Sequence, residues 1–399
     1  SICSGPELEP AQVIDLLHSL VDKSLVVADL DSFPARFKLL ETLRTYAAER
    51  LTQLGEAEEG QRRHLRWWQQ LALQAEDEML GGEQIAWYER IDDELENLRL
   101  SLDWAERSGE HLTGLEVTLG LWRFWVARNH GPEGGRYLAL FLKRARMEAP
   151  PALVAKALTL SAGLCLSHGA IADSRRLAAE ACAVARTLES PFLMAQATGL
   201  LGTASLFLGD GASAVAHLRT SLALAESVGD EWTPAEARLW LGLIAWRQGD
   251  LPTADALLDS AYSFFRRRQD LWNLALVSSF RARVAVQMGA FDQSRLLLAE
   301  TISLYGRIRD KRFLASALTT LARLEMAEGR PAEAVRLLGM IDAYIERSGT
   351  TIATWAEWVR QEHEEVRTWG PTAMTPEAYR RAYNIGWSAD LAEAVEPSL

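Results

Sequence analysis

The sequence predicts a mainly α protein: an α-solenoid of stacked antiparallel helix pairs, preceded by a small helix–hairpin–helix unit. Three observations carry this. Gly169, Gly209, Gly249, Gly289 and Gly329 recur at a spacing of 40 residues. Small residues recur in register with them: Ala162, Gly202, Gly242, Ala282 and Ala322 seven positions before, and Ser174, Ala214, Ala254, Ser294 and Ala334 five after. The composition is 48 % hydrophobic and 24 % charged, and rich in Ala and Leu, which suits helix better than sheet.

Residues 1–55 contain "PAQVIDLLHSLVDKSLV", a helix running into a short strand. "LVVAD" and "RFKLL" are β-rich runs flanking the turn "LDSFPA", and "LETLRTYAAERLTQLG" is a helix ending at Gly55. Helix, hairpin, helix is the rear portion of a winged helix. Residues 56–111 read as linking helices over 61–80 and 84–107. Leu95, Leu98, Leu102 and Ala105 form one stripe there, and Asp92, Asp93, Glu94 and Glu96 form a solvated face.

Residues 112–352 are the repeats: one degenerate unit and five of 40 residues. The degenerate unit, 115–145, reads as helix, turn at Asn129-His130-Gly131, helix. Its Trp122, Phe124 and Trp125 are expected to pack in the core rather than form a binding cage. In each later unit the Gly takes the left-handed conformation that ends the first helix. Asp210 and Asp250 suit the turn, and Pro252 and Pro331 sit at the start of a second helix, where a missing N–H costs little. Ala178, Leu218, Leu258, Leu298 and Leu338 then fill the space between the helices. One hairpin cannot bury its apolar face alone, so the units stack. Residues 353–399 read as C-terminal capping helices, with Asp390 as an N-cap.

These residues reach known families. The small-residue and Gly pattern, with "GDLPTADALLDSA" as its clearest second half, resembles the tetratricopeptide repeat over about 153–352. The 40-residue version resembles the sensor arm of the maltose-regulon activator type of bacterial regulator. "LVDKSLV…RFKLLETLRTYAAERL", followed by Arg63-His64 and Glu96-Asn97-Leu98-Arg99, resembles the winged-helix module of bacterial signal-transduction ATPases with numerous domains (STAND). "AYRRAYNIGWSADLAEAV" resembles that family's closing segment. The resemblance implies a sensing arm of a multidomain transcriptional regulator. It would bind a small-molecule or protein effector and relay this to an upstream nucleotide-binding domain. A constitutive protein-binding scaffold is the alternative.

The remaining features narrow the chemistry. A net charge of −12 argues against a nucleic-acid surface. Around the winged helix Lys23, Arg36 and Lys38 are offset by Asp15, Asp22, Asp29 and Asp31, which does not favour phosphate contacts. Cys3, Cys165 and Cys182 lack a disulfide pattern, so a cytoplasmic location is expected, with Cys165 and Cys182 as small core residues. No membrane span or signal peptide is read. The chain opens without Met and reads as a piece of something larger. No GxxxxGK[ST] loop occurs. No cofactor is therefore expected in this chain, with ATP only for a missing upstream domain. The seven His show no metal spacing, and no catalytic constellation is visible, so an enzyme is not expected.

The binding site is expected on the concave face, which first helices line. The register places Gln196, Thr203, Phe207, Glu236, Trp246, Arg247, Ser279, Arg283, Gln287, Thr319 and Arg323 there, with Lys156 and Thr159 at its start. Arg247, Arg283 and Arg323 would form a ladder able to grip an acidic peptide, a docking helix or a compact polyanion, with Trp246 and Phe207 as apolar anchors. Alternatively these arginines pair with acids such as Glu325 and Glu236 and keep the groove soluble. A free ladder predicts that Arg283→Glu with Arg323→Glu abolishes partner binding and leaves the melting temperature nearly unchanged.

Overall fold

The computed structural model describes residues 9–29, 35–349, 351–352 and 355–394. Cys3 and most of the turn "LDSFPA" lie outside the described residues. The N-terminal unit is α1 (Pro10–Asp22), β1 (Val26–Asp29), β2 (Arg36–Leu39) and α2 (Glu41–Leu54). The strands pair antiparallel, Val26 opposite Leu39 and Asp29 opposite Arg36. Gly55 closes α2 at φ +75°. The unit is thinly covered: Ile14, Leu16, Leu39, Leu40, Tyr46, Leu51 and Leu54 are all exposed.

The linking region holds α3 (Ala57–Glu78), α4 (Gln84–Asp93) and α5 (Leu95–Ser108). The expected second long helix is thus two, broken at Glu94. The degenerate repeat is also subdivided, into α6 (His111–Gly120), α7 (Trp122–Ala127) and α8 (Gly131–Ala145).

Five hairpins follow: α9 (Pro151–Ser167) with α10 (Ile171–Thr187), α11 (Pro191–Phe207) with α12 (Gly211–Ser227), α13 (Trp232–Arg247) with α14 (Leu251–Arg268), α15 (Leu271–Met288) with α16 (Phe291–Ile308), and α17 (Lys311–Ala327) with α18 (Pro331–Ser348). α19 (Glu357–Ala373), α20 (Pro376–Ser388) and a short 3-10 turn at Leu391–Ala394 close the chain.

The small-residue register holds in every hairpin. At Gly242 an added Cβ would lie 2.7 Å from Leu258 Cγ, and at Gly202 2.8 Å from Leu218 Cγ. Only a glycine lets the two helices meet at that distance. A second 40-residue series marks the turns between hairpins: Glu189, Gly229, Gln269, Arg309 and Gly349 all have positive φ. The next residues cap the following helices. Ser190, Asp230, Asp270 and Asp310 accept from the N–H groups of Leu193, Thr233, Asn273 and Phe313.

The array bends far enough to meet itself. Buried Asp270 accepts from Gln84 (2.9 Å), Asn273 (2.6 Å) and Arg123 (3.3 Å), joining α4 and α7 to the start of α15. The Arg128 guanidinium donates to the Ile308 carbonyl, and that of Arg312 to the Ser167 carbonyl. Among the described residues most of the buried apolar side chains fall into two clusters. One runs from Leu65 to Ala197 and takes in Ile308; the other runs from Leu206 to Leu391.

Candidate functional site

The first helices of successive hairpins wall a cavity of about 390 Å³ on the inner face of the bend. That size is typical of small-molecule sites. The repeat register supplies its walls in rows: Leu160, Leu200, Trp240 and Phe280 form one, and Glu236, Leu276 and Ser316 another. Trp122 and Arg123 enter from α7, Trp272 from α15, and Arg312 and Phe313 from α17. Residues 355–360, the lead-in and first turn of α19, close it.

α19 lies across the concave face and supplies the acids that the arginine ladder meets. Arg247 contacts Glu357 at 2.5 Å. Arg283 is 1 % exposed and donates through Nε to both Glu362 oxygens at 3.1 and 3.2 Å. Its other nitrogens bond Ser279 and Ser316, so the guanidinium is fully engaged. Arg323 reaches Glu365 at 2.9 Å and the same Glu362 at 3.6 Å. Thr320 donates to Glu362 as well. Between the ion pairs, Trp358 packs on Phe207 and Phe280 with ring centroids 5.4 and 6.1 Å away.

The expected site residues divide accordingly. Phe207, Glu236, Ser279 and Arg283 line the cavity, and Arg247 and Arg323 sit against α19. The expected partners Glu325 and Glu236 are not theirs. Glu325 binds Arg295 and Arg330 instead. A free arginine ladder is therefore corrected: the chain's own acidic helix occupies it. The near-constant melting temperature expected of the double charge reversal goes with it, because Arg283 is buried. Trp246 is also corrected. It is buried in the apolar core, and Trp240, six residues earlier, faces the cavity. Thr203 and Thr319 are buried with their hydroxyls donated to the carbonyls of Gly199 and Ala315 in their own helices. Gln196 is half-buried away from the cavity wall, and Gln287 is exposed. Thr159 is buried, and Lys156 pairs with Glu76. Phe124 and Trp125 are core residues as expected, whereas Trp122 lines the cavity. Cys182 is buried and Cys165 half-buried, and burial raises both thiol pKa values.

Most charged groups around the cavity are neutralised. Arg123 pairs with Asp270 and sits over the rings of Trp122, Trp232 and Trp272. Arg360 also has a partner. Two wall residues differ. Among the described residues no Lys or Arg lies within ion-pair distance of Glu236, and no carboxylate within that distance of Arg312. Burial pushes the Glu236 carboxyl up to about 7, with Arg123 the largest opposing influence. Burial lowers the Arg312 pKa, with Asp310 opposing. The sequence held one signal for these walls: Trp240 and Phe280 stand 40 residues apart in the row begun by Leu160 and Leu200.

No family model matches the chain. Over 232 residues, 56 % of its length, it is 32 % identical to a protein of Mycobacterium bovis and to proteins of two Mycobacterium tuberculosis strains, each provisionally named an HTH-type transcriptional regulator. The match spans 26 % of those relatives. Among solved structures, a Rap protein complexed with Competence and Sporulation Factor has a TM-score of 0.49 at 14 % identity, over 79 % of this chain and 99 % of that one. A STAND protein with a tetratricopeptide repeat sensor from Pyrococcus horikoshii has a TM-score of 0.46 at 13 % identity, over 92 % of this chain and 60 % of that one. Neither superposes closely enough to transfer a site. The chain is thus a tetratricopeptide-like α-solenoid similar, over rather more than half its length, to mycobacterial proteins of regulator type.

Proposed function

We propose that this chain is the effector-sensing arm of a larger transcriptional regulator of the STAND kind, working in the cytoplasm, with a small-molecule effector held in the concave cavity. The carrying observation is the cavity itself: a largely apolar, partly open space whose wall includes six consecutive residues of the C-terminal segment, 355–360. An occupant touches five repeat helices and the lead-in to α19 at once, so binding stabilises one setting of the superhelix over others. The exposed apolar residues of the N-terminal unit support a relay surface towards an upstream ATP-binding module. Within this division of labour the chain itself neither hydrolyses ATP nor contacts nucleic acid.

Gly163 gives the test. It lines the cavity, and a Cβ there would meet nothing closer than Leu200 Cδ1 at 3.9 Å. Gly163→Phe should fill the cavity and leave the fold intact. In a metabolite screen by thermal shift, effectors should raise the melting temperature of the parent and not of Gly163→Phe. If every partner binds both proteins equally, recognition lies outside the cavity and the constitutive scaffold is the better reading.

A further inference from the structure

The two unmatched charges on the cavity wall say what kind of molecule belongs there. A charge held partly out of water without an ion-pair partner is costly, and such groups concentrate at binding sites; Glu236 and Arg312 are both half-buried on the cavity wall. Arg123, Arg247 and Arg283 are each neutralised by a carboxylate of the chain. Glu236 and Arg312 make no ion pair among the described residues: Arg123 and Asp310 act on them only from beyond that distance, and the two lie on α13 and α17, with α15 between those helices. The Arg312 guanidinium gives one bond to the Ser167 carbonyl and lies beside the Phe313 ring, 5.5 Å from its centroid. The same wall carries the apolar side chains of Trp122, Leu200, Trp240, Trp272, Leu276 and Phe280.

We propose that the cavity takes an apolar zwitterion: a molecule with a carboxylate received by Arg312, a protonated amine received by Glu236, and an apolar body against the aromatic rings. A plain cation would leave Arg312 unmatched, and a plain anion would leave Glu236 unmatched. A neutral apolar molecule would leave both. Carboxylate on guanidinium and ammonium on carboxylate are the charge-assisted contacts each wall group lacks. Short apolar peptides with free ends are the simplest members of the class, and the cavity volume suits them. This rests on the cavity being the effector site.

The test titrates the full chain with apolar di- and tripeptides of Leu, Ile, Val and Phe, followed by intrinsic tryptophan fluorescence. Each peptide is used free, N-acetylated, C-amidated and doubly blocked. Neutral N-phenyl-1-naphthylamine serves as a probe of the cavity alone, with Gly163→Phe as the filled control. The expected result is binding of free peptides, at least tenfold weaker binding when either end is blocked, and none detectable when both are. Glu236→Gln should remove the penalty for N-acetylation only. Arg312→Gln should remove the penalty for amidation only, and Arg312→Lys should retain it. Doubly blocked peptides binding as tightly as free ones would overturn the proposal. So would a cavity that binds the naphthylamine and no free peptide, although the cavity would then stand as a site. If neither binds the parent, the effector-site reading falls too.

Discussion

Arg283 shows how far a residue's role can move between a helical register and a folded chain. Its spacing places it correctly on the concave face, but spacing carries no information about a helix arriving from 79 residues downstream to supply Glu362. With that partner in place the guanidinium is a buried ion. Removing one member of such a pair typically costs about 3–5 kcal/mol, because the other is left uncompensated. Arg283→Ala should therefore lower stability by roughly that amount, measured by urea unfolding. A loss below about 1 kcal/mol, the range of an exposed pair, would show that Glu362 does not hold it. Glu236 is the opposite case, an acid without an ion-pair partner. Its pKa is raised to about 7, so its favourable protonated form is fully present below the ordinary glutamate range, near 4.5, and is lost as pH rises through about 7. Glu236→Gln should then stabilise the ligand-free chain by roughly 1–3 kcal/mol at pH 8 and by almost nothing at pH 4. Equal effects at both pH values would place the charge elsewhere.

At the scale of elements the periodic glycines were fully legible, because each marks a backbone or a contact that other residues fit badly. Gly249 has φ +81°, and Gly242 touches Leu258. Gly242→Leu should cost about 1–3 kcal/mol by overpacking that contact, read as a fall in the urea midpoint. The second series of turns was not legible. Glu189, Gln269 and Arg309 adopt the left-handed conformation without being glycine, so composition hides the 40-residue repeat that their positions keep. Glu189 has φ +48° and is exposed. Glu189→Gly should relieve strain and raise stability by roughly 0.5–1 kcal/mol, whereas Gly in an ordinary turn residue's place would lower it. Helix breaks at Glu94 and Leu121 were also missed. Neither position carries Gly or Pro, and Gly120, beside the second break, packs on the Ala72 backbone. The cavity walls were half legible: Phe207, Glu236, Ser279 and Arg283 followed from register, while Trp240 lost to Trp246 because both are large aromatics on one helix.

Across the whole molecule the two apolar clusters are joined where the bend closes. Gln84 and Asp270 bond across 186 residues of chain, with Arg123 on the same carboxylate. Asp270→Ala should leave Arg123 buried without its counter-ion and cost about 3–5 kcal/mol. It should also split a single calorimetric transition into two, one for each cluster. An unsplit transition at parental temperature would mean that the junction contributes nothing. An open solenoid couples only neighbours, so it can gain or lose a unit and simply become longer or shorter. This array has no such freedom. Between Arg123 and Asp270 lie a fixed number of hairpins, and the superhelical rotation they accumulate is what brings the carboxylate home. Inserting or deleting 40 residues anywhere in that interval would carry Asp270 past its partners, however well the new unit packed on its neighbours. Repeat number, a quantity that drifts freely in other solenoids, is here set by geometry.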